Sequence, residues 1–230
     1  MEYAATPPAV ATGDAQAFLA RVFGWMFLGL VLTGVVAGVI GSDEELLTKI
    51  TENPWIFIAL VVLQLGLVIA ISAAINRISP AVALTLFFLY AASVGVIFAF
   101  VFELYTTQSI FTTFLVTAGM FGAVGAWGYV TKRDLSTLGT VMIMALVGLI
   151  LATIVNIFWA NETLYWITTY AGVAIFAGLT AYDFQKIKGY AHAGLEGDAE
   201  QRASILGALA LYLDFINLFL FLLRIFGQSR

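Results

Sequence analysis

Seven stretches of about twenty mostly apolar residues run through this chain, each long enough to cross a bilayer. They fall at roughly 22–41, 54–75, 81–102, 110–130, 138–159, 164–184 and 204–227. Among 230 residues, 62% are hydrophobic and only 10% charged, too few charges to cover a soluble surface. The expected fold class is therefore an all-α integral membrane protein with seven transmembrane helices. Residues 21–230 form its one domain, after a mobile tail over 1–20 in which Pro7 and Pro8 break any helix. That tail has no basic segment ahead of an apolar core, so no cleaved signal peptide is expected. Cysteine is absent, which removes disulfides, thiol catalysis and cysteine-ligated metals. The single histidine, His192, lies in a charged loop. The net charge of −4 and the lack of any basic run exclude a nucleic-acid partner.

Basic residues set orientation. Arg21, Arg77, Lys132, Arg133, Lys186, Lys188 and Arg202 fall on one side of the spans. Lys49, Arg224 and Arg230 fall on the other, with the acids Asp43, Glu44, Glu45, Glu52, Glu103 and Glu162. This puts the N-terminus and the second, fourth and sixth loops in the cytoplasm. Seven spans carry the C-terminus outside, although Arg224 and Arg230 at the outer end of the last span leave a re-entrant final helix open. The sixth loop, QKIKGYAHAGLEGDAEQRA, is the only long one. Spans one to three and four to six make two groups that would be inverted relative to each other, with the seventh span unpaired and central.

Asp214 stands in the middle of the seventh span, where a carboxylate costs about 2.5–3.5 kcal/mol or more and is read as functional by default. At 100° per residue it shares a stripe with Ala203, Gly207, Ala210, Asn217, Phe221 and Arg224. The sixth span carries a similar stripe: Thr169, Gly172, Phe176, Thr180 and Asp183. Small and polar faces favour close contact in lipid, so the two stripes are natural partners. Two buried carboxyls in contact cannot both ionise and share one proton. Such a pair can sense protons, bind a cation or hydrolyse a peptide. Taken singly, Asp183 has an alternative reading as a solvated helix-end residue beside Lys186, and Asp214 one as a structural hydrogen-bonding group.

Arg77, just after the second span, is read either as a topology anchor or as a guanidinium that latches one carboxylate. Glu103 at the outer end of span three is either a solvated end residue or part of an ion path, with Asn217 further along it. The glycines Gly34 and Gly38 of the first span, and Gly119, Gly122, Gly125 and Gly128 of the fourth, are expected to serve helix packing. Asn156 and Gln64 are expected to make interhelical hydrogen bonds.

The runs AGLTAYDFQKIK and ALALYLDFINLFLFLLRIFG resemble the signature of the Bax inhibitor family, the transmembrane Bax inhibitor motif proteins, in a bacterial member. The resemblance covers all seven spans and is most specific over residues 177–227. It implies two three-helix layers around a central seventh helix. It implies a pH-sensitive leak of calcium ions, with Asp183 and Asp214 as the proton-sharing sensor and transient calcium ligands, and Arg77 as the latch. Some bacterial relatives carry an acid inside span two; here Gln64 and Gly66 stand near that place. No resident cofactor is implied; calcium and protons are the cargo, and the inner (plasma) membrane of a bacterium is the location.

Two other readings compete. Intramembrane aspartyl proteases pair Tyr-Asp with Gly-x-Gly-Asp. This chain has Tyr182-Asp183, but Leu211 and Leu213 occupy the positions of the glycines that let substrate backbone approach, so no enzymatic activity is expected. A non-conducting scaffold that binds other membrane proteins is the third class.

Overall fold

The computed structural model describes residues 12–230. Eight helices follow one another: α1 (Thr12–Gly41), α2 (Glu44–Thr51), α3 (Pro54–Ala74), α4 (Pro80–Leu104), α5 (Thr107–Val130), α6 (Ser136–Trp159), α7 (Glu162–Ala191) and α8 (Gly197–Phe226). All but α2 are long and apolar enough to cross a membrane. Within lipid each helix satisfies its own backbone, which is why seven apolar stretches become seven helices. Their starts are set by side-chain caps. Asn53 accepts from the Trp55 N–H ahead of Pro54, and Ser79 from the Val82 N–H ahead of Pro80. Asn161 does the same for Leu164 at the start of α7. In each case an oxygen satisfies an N–H that the first turn leaves free. The acidic first loop is mostly the short helix α2, capped by Asp43, with Leu47 turned inward and Glu44 and Glu45 outward.

The two groups of three helices are arranged alike. In the first, α4 packs against both α1 and α3; in the second, α7 packs against both α5 and α6. The seventh span, α8, touches α1, α4, α5 and α7 and is the most buried of all. This is the expected pair of three-helix layers about a central helix. Glycines set the closest approaches. A Cβ on Gly95 would meet the Thr33 carbonyl oxygen of α1 at 2.8 Å, and one on Gly128 would strike the backbone carbonyl of Ala181 in α7. Gly34, Gly38, Gly119 and Gly122 have open space instead, so the packing expected of them is not made within this chain.

Two boundaries differ from the sequence expectation, and one alternative is closed. Residues 12–20, assigned to the tail, are helical, because Ala15 and Phe18 continue the buried stripe of Val22 and Met26. Residues 1–11 of that tail lie outside the described residues. The long sixth loop contracts to 192–196, with Gly194 and Gly197 at positive φ supplying the reversal. The Lys, Glu and Ala residues on either side are good helix formers and extend α7 and α8 beyond the apolar windows. Finally, α8 is not re-entrant. It runs unbroken to the α4–α5 turn, where Tyr105 bridges to Ser229 and the Arg230 N–H donates to the Leu104 carbonyl.

The opposite end is stitched by donors aimed at loop carbonyls. Gln185 of α7 donates to the Arg133 carbonyl at 2.8 Å and accepts from the Leu135 N–H. Lys188 donates to the Tyr129 carbonyl, and Arg202 to the Ile78 carbonyl at 3.0 Å. Arg21 pairs with Glu200 at 3.2 Å, joining the starts of α1 and α8. In the same region the Ser136 hydroxyl and N–H both donate to Asp134 and hold its exposed carboxyl below the usual range.

Candidate functional site

The close contact of α7 with α8 creates the site. Gly172 of α7 lies directly against the Phe221 ring, where a Cβ would sit 2.6 Å from it. The Phe176 ring stacks on the same Phe221 at 5.9 Å between centroids. About two turns further along from Phe176 and Phe221, this approach brings the carboxyls of Asp183 and Asp214 within interaction range of each other. Both lie on the stripes expected of them. Their meeting depends on α7 continuing to Ala191, which places Asp183 well inside its helix rather than at its end.

Asp214 is 4% exposed, and its Oδ2 has no hydrogen-bond partner. The Thr180 hydroxyl, which donates to the Phe176 carbonyl, also faces this carboxyl. Asp183 is only partly buried and has the Lys186 ammonium as its neighbouring cation. Both acids lie in the wall of a cavity of about 680 Å³ between α3 and α6, with α4, α7 and α8 behind it. Asp183 and Lys186 also line a second cavity of about 270 Å³ toward Tyr190 and Leu206. They therefore stand where both spaces can be reached.

The remaining sequence candidates are distributed unequally. Asn217 lines the large cavity, with its Nδ2 donating to the Leu213 carbonyl of its own helix. Glu103 is at the far end of the bundle, exposed, in a cavity of about 280 Å³ shared with Arg230. Arg77 is exposed on the turn after α3 and takes part in none of the ion pairs among the described residues. That turn is pinned by Arg202 through the neighbouring Ile78 carbonyl, so Arg77 is not brought to the carboxyls here. Lys186 is the cation beside them. Its spacing of three residues from Asp183 puts both on one helix face, a signal legible in the sequence.

Gln64 also belongs to the site. It lines the large cavity from α3, and its Nε2 is buried without a partner, so the expected interhelical bond is not made. Asn156 likewise makes a local bond, accepting from the Asn161 N–H at the α6–α7 turn. Among the described residues no group of three or more His, Cys, Asp or Glu could hold a metal ion. The site thus offers a pair of acids, one cation and several neutral polar groups on an otherwise apolar wall.

Known proteins share this chain over nearly its whole length. The sequence profile described as "Inhibitor of apoptosis-promoting Bax1" matches residues 15–230. The inner membrane protein YbhL of Escherichia coli K12 is 48% identical over 217 residues, covering 94% of this chain and 93% of its own. Uncharacterized proteins of Borreliella burgdorferi and Deinococcus radiodurans are 44% and 43% identical, covering 93% and 94% of this chain and 92% and 91% of theirs. With the Asp183 and Asp214 pair at its centre and seven membrane-crossing helices around it, the chain belongs to the Bax inhibitor family of membrane proteins.

Proposed function

We propose that this protein is a pH-sensitive calcium leak pathway, with Asp183 and Asp214 as its gate. The supporting observation is the contact of the two carboxyls at a cavity wall, with Asp214 almost wholly buried. A shared proton holds such a pair together; losing it leaves two like charges at short range in a low dielectric. Repulsion then separates α7 from α8 or draws in a cation. Calcium carries the compensating double charge and prefers oxygen ligands. Two carboxyls fall short of the six to eight oxygens of a resident calcium site, which suits passage rather than storage.

Arg77 is assigned the latch, and engaging it requires the α3–α4 turn to leave its Arg202 anchor. Glu103 gathers cations at the outer end, and Asn217 lines the route toward it. The protein is a multi-pass component of the bacterial inner membrane, as the name of its Escherichia coli relative suggests. The basic end, with Arg21, Arg77, Arg133 and Arg202, faces the cytoplasm, and so does the N-terminus. No proteolysis is assigned: Leu211 is fully buried and Leu213 fills the cavity wall where substrate backbone would need room. Calcium entry into liposomes containing the purified protein, followed across a pH series, tests the reading. Flux that rises as the pair loses its proton supports it. Absence of flux at every pH leaves a scaffold for membrane-protein partners.

A further inference from the structure

Polar bonds at the basic end of the bundle sort the helices into two bodies. Arg21 pairs with Glu200 and Arg202 donates to the Ile78 carbonyl, tying α1, α8 and the α3–α4 turn together. Gln185 and Lys188 of α7 instead reach Tyr129, Arg133 and Leu135, at the end of α5 and the turn into α6. Among the described residues, no hydrogen bond or ion pair at this end joins one body to the other. Packing follows the same division. Tyr212 of α8 meets Thr33 of α1, which donates to the Ala91 carbonyl of α4. In the other body the neighbours of Asp183 are seated on glycines: the Ala181 backbone on Gly128, the Tyr182 ring on Gly139 and the Phe184 ring on Gly125. A Cβ at any of the three would clash, so α5, α6 and α7 are locked together around Asp183.

The seam between the bodies is fastened at one end. Away from the basic end, the Thr106 N–H donates to the Gln228 carbonyl and the Gln228 N–H to the Ser109 hydroxyl. The two-residue α4–α5 turn joins the bodies covalently there, and Gly172 of α7 lies hard against Phe221 of α8. Midway, Phe215 of α8 meets Phe121 of α5 ring to edge. Toward the basic end the crossing contacts are Phe23 with Phe184 and Gly207 with Ile187, besides those of Asp214 with Asp183 and Thr180. Apolar helix contacts of this kind exchange readily for lipid tails, which are equally apolar. The loop 192–196 also crosses there, and its five residues can reach roughly 16–18 Å when extended. We propose that the chain is a two-leaved hinge: α1, α3, α4 and α8 turn as one body against α5, α6 and α7 about the α4–α5 turn, and part at the basic end along the plane of Asp183 and Asp214. The trigger rests on the proposed gate; the axis rests on packing alone. The ionisable groups lining the two cavities with the carboxyls are Lys186, Tyr182 and Tyr190 of α7 and Tyr90 of α4; α3 and α6 bring neutral side chains, and α1 and α5 line neither. Arg77 stands in the first body at the end that parts, so a latch made there bridges the seam.

The chain has no cysteine, so introduced pairs are the only thiols present. Spin labels on exposed pairs in the full-length protein in nanodiscs, read by double electron–electron resonance, test the hinge. As pH rises through the titration of the acid pair, Asn76→Cys with Lys132→Cys, across the seam at the basic end, should lengthen by about 5 Å, one helix radius. Gln16→Cys with Asn76→Cys, inside the first body, and Ser42→Cys with Thr163→Cys, across the seam at the opposite end, should hold their distances. An equal change inside the first body, a larger one at the opposite end, or three fixed distances each overturns the hinge. Calcium flux separates that failure from failure of the gate. Flux that follows pH while the distances stay fixed leaves the gate and removes the hinge; absence of both removes the two together. A disulfide supplies the second test. Ile187→Cys with Gly207→Cys staples the seam near the basic end, where the side chains already touch, and should cut flux at least tenfold until it is reduced. Met142→Cys with Gly178→Cys, inside the second body, should leave flux unchanged. Full flux through the oxidised cross-seam pair overturns the hinge.

Discussion

Asp183 and Asp214 reach one another from different depths: the first lies about two turns before the end of α7, the second near the middle of α8. They meet because α8 starts with about two turns of polar helix before its apolar core. The contact is therefore a property of where the two helices end, as much as of the two acids.

If the pair is the pH sensor, Asp183→Asn and Asp214→Asn should each remove the pH dependence of calcium flux into liposomes, since one amide ends the coupling between two ionisable groups. The double variant should match either single one. A pH profile that survives both substitutions places the sensor elsewhere.

The two cations assigned to the gate, Arg77 as the latch and Lys186 beside Asp183, make different predictions. Arg77→Ala should raise leak at neutral pH if the guanidinium latches the closed state, and Arg77→Lys should restore it only in part, because lysine lacks the bidentate fork. Lys186→Gln acts at the carboxyls directly and should shift the midpoint of the pH profile, because it removes the positive charge facing Asp183. An unaltered leak in Arg77→Ala reduces Arg77 to a topology anchor.

Glycine substitutions should separate by contact. Gly128→Ala drives a methyl into the Ala181 backbone and should cost about 1–3 kcal/mol of stability. Gly119→Ala, on the same helix with open space, should be neutral or stabilising by up to about 1 kcal/mol through helix propensity. Thermal denaturation in detergent, followed by the surviving monodisperse fraction, distinguishes the two.

The Tyr212 hydroxyl and the Thr33 hydroxyl are 2.5 Å apart, and Thr33 also donates to the Ala91 carbonyl. This links α1, α4 and α8 at a fully buried point. Tyr212→Phe leaves Thr33 its carbonyl partner and should cost about 0.5–1.5 kcal/mol; Thr33→Val strands the phenol and should cost more, about 1–3 kcal/mol. Equal losses in the same denaturation measurement would show that the link carries no hydrogen-bond energy of its own.

Span number, fold class and the two acids were all legible from hydropathy and helical periodicity, because lipid makes both signals strong. Polar helix was not. Hydropathy windows stop where charge begins, so they cut α7 before Lys186 and Lys188 and missed the first turns of α8. That truncation made Asp183 look like a helix-end residue solvated beside Lys186 rather than a member of a cavity wall. Gln64 and Asn156 failed for another reason. A polar side chain in a span signals a need for a partner but not which one, and Asn156 found it five residues along its own chain. The place of Arg77 after span two is legible, but no sequence pattern announces that Arg202 would hold the neighbouring carbonyl.

A helix packed on four sides, as α8 is, cannot bend at its middle without disturbing everything around it. Its two ends are fastened differently: the start by Arg21–Glu200 and Arg202–Ile78, the finish by the short bridge to Tyr105 and Leu104. Any displacement that begins at Asp214 is thus delivered along a rigid rod to two separate moorings. Whichever mooring slips first decides on which face of the membrane the event is felt.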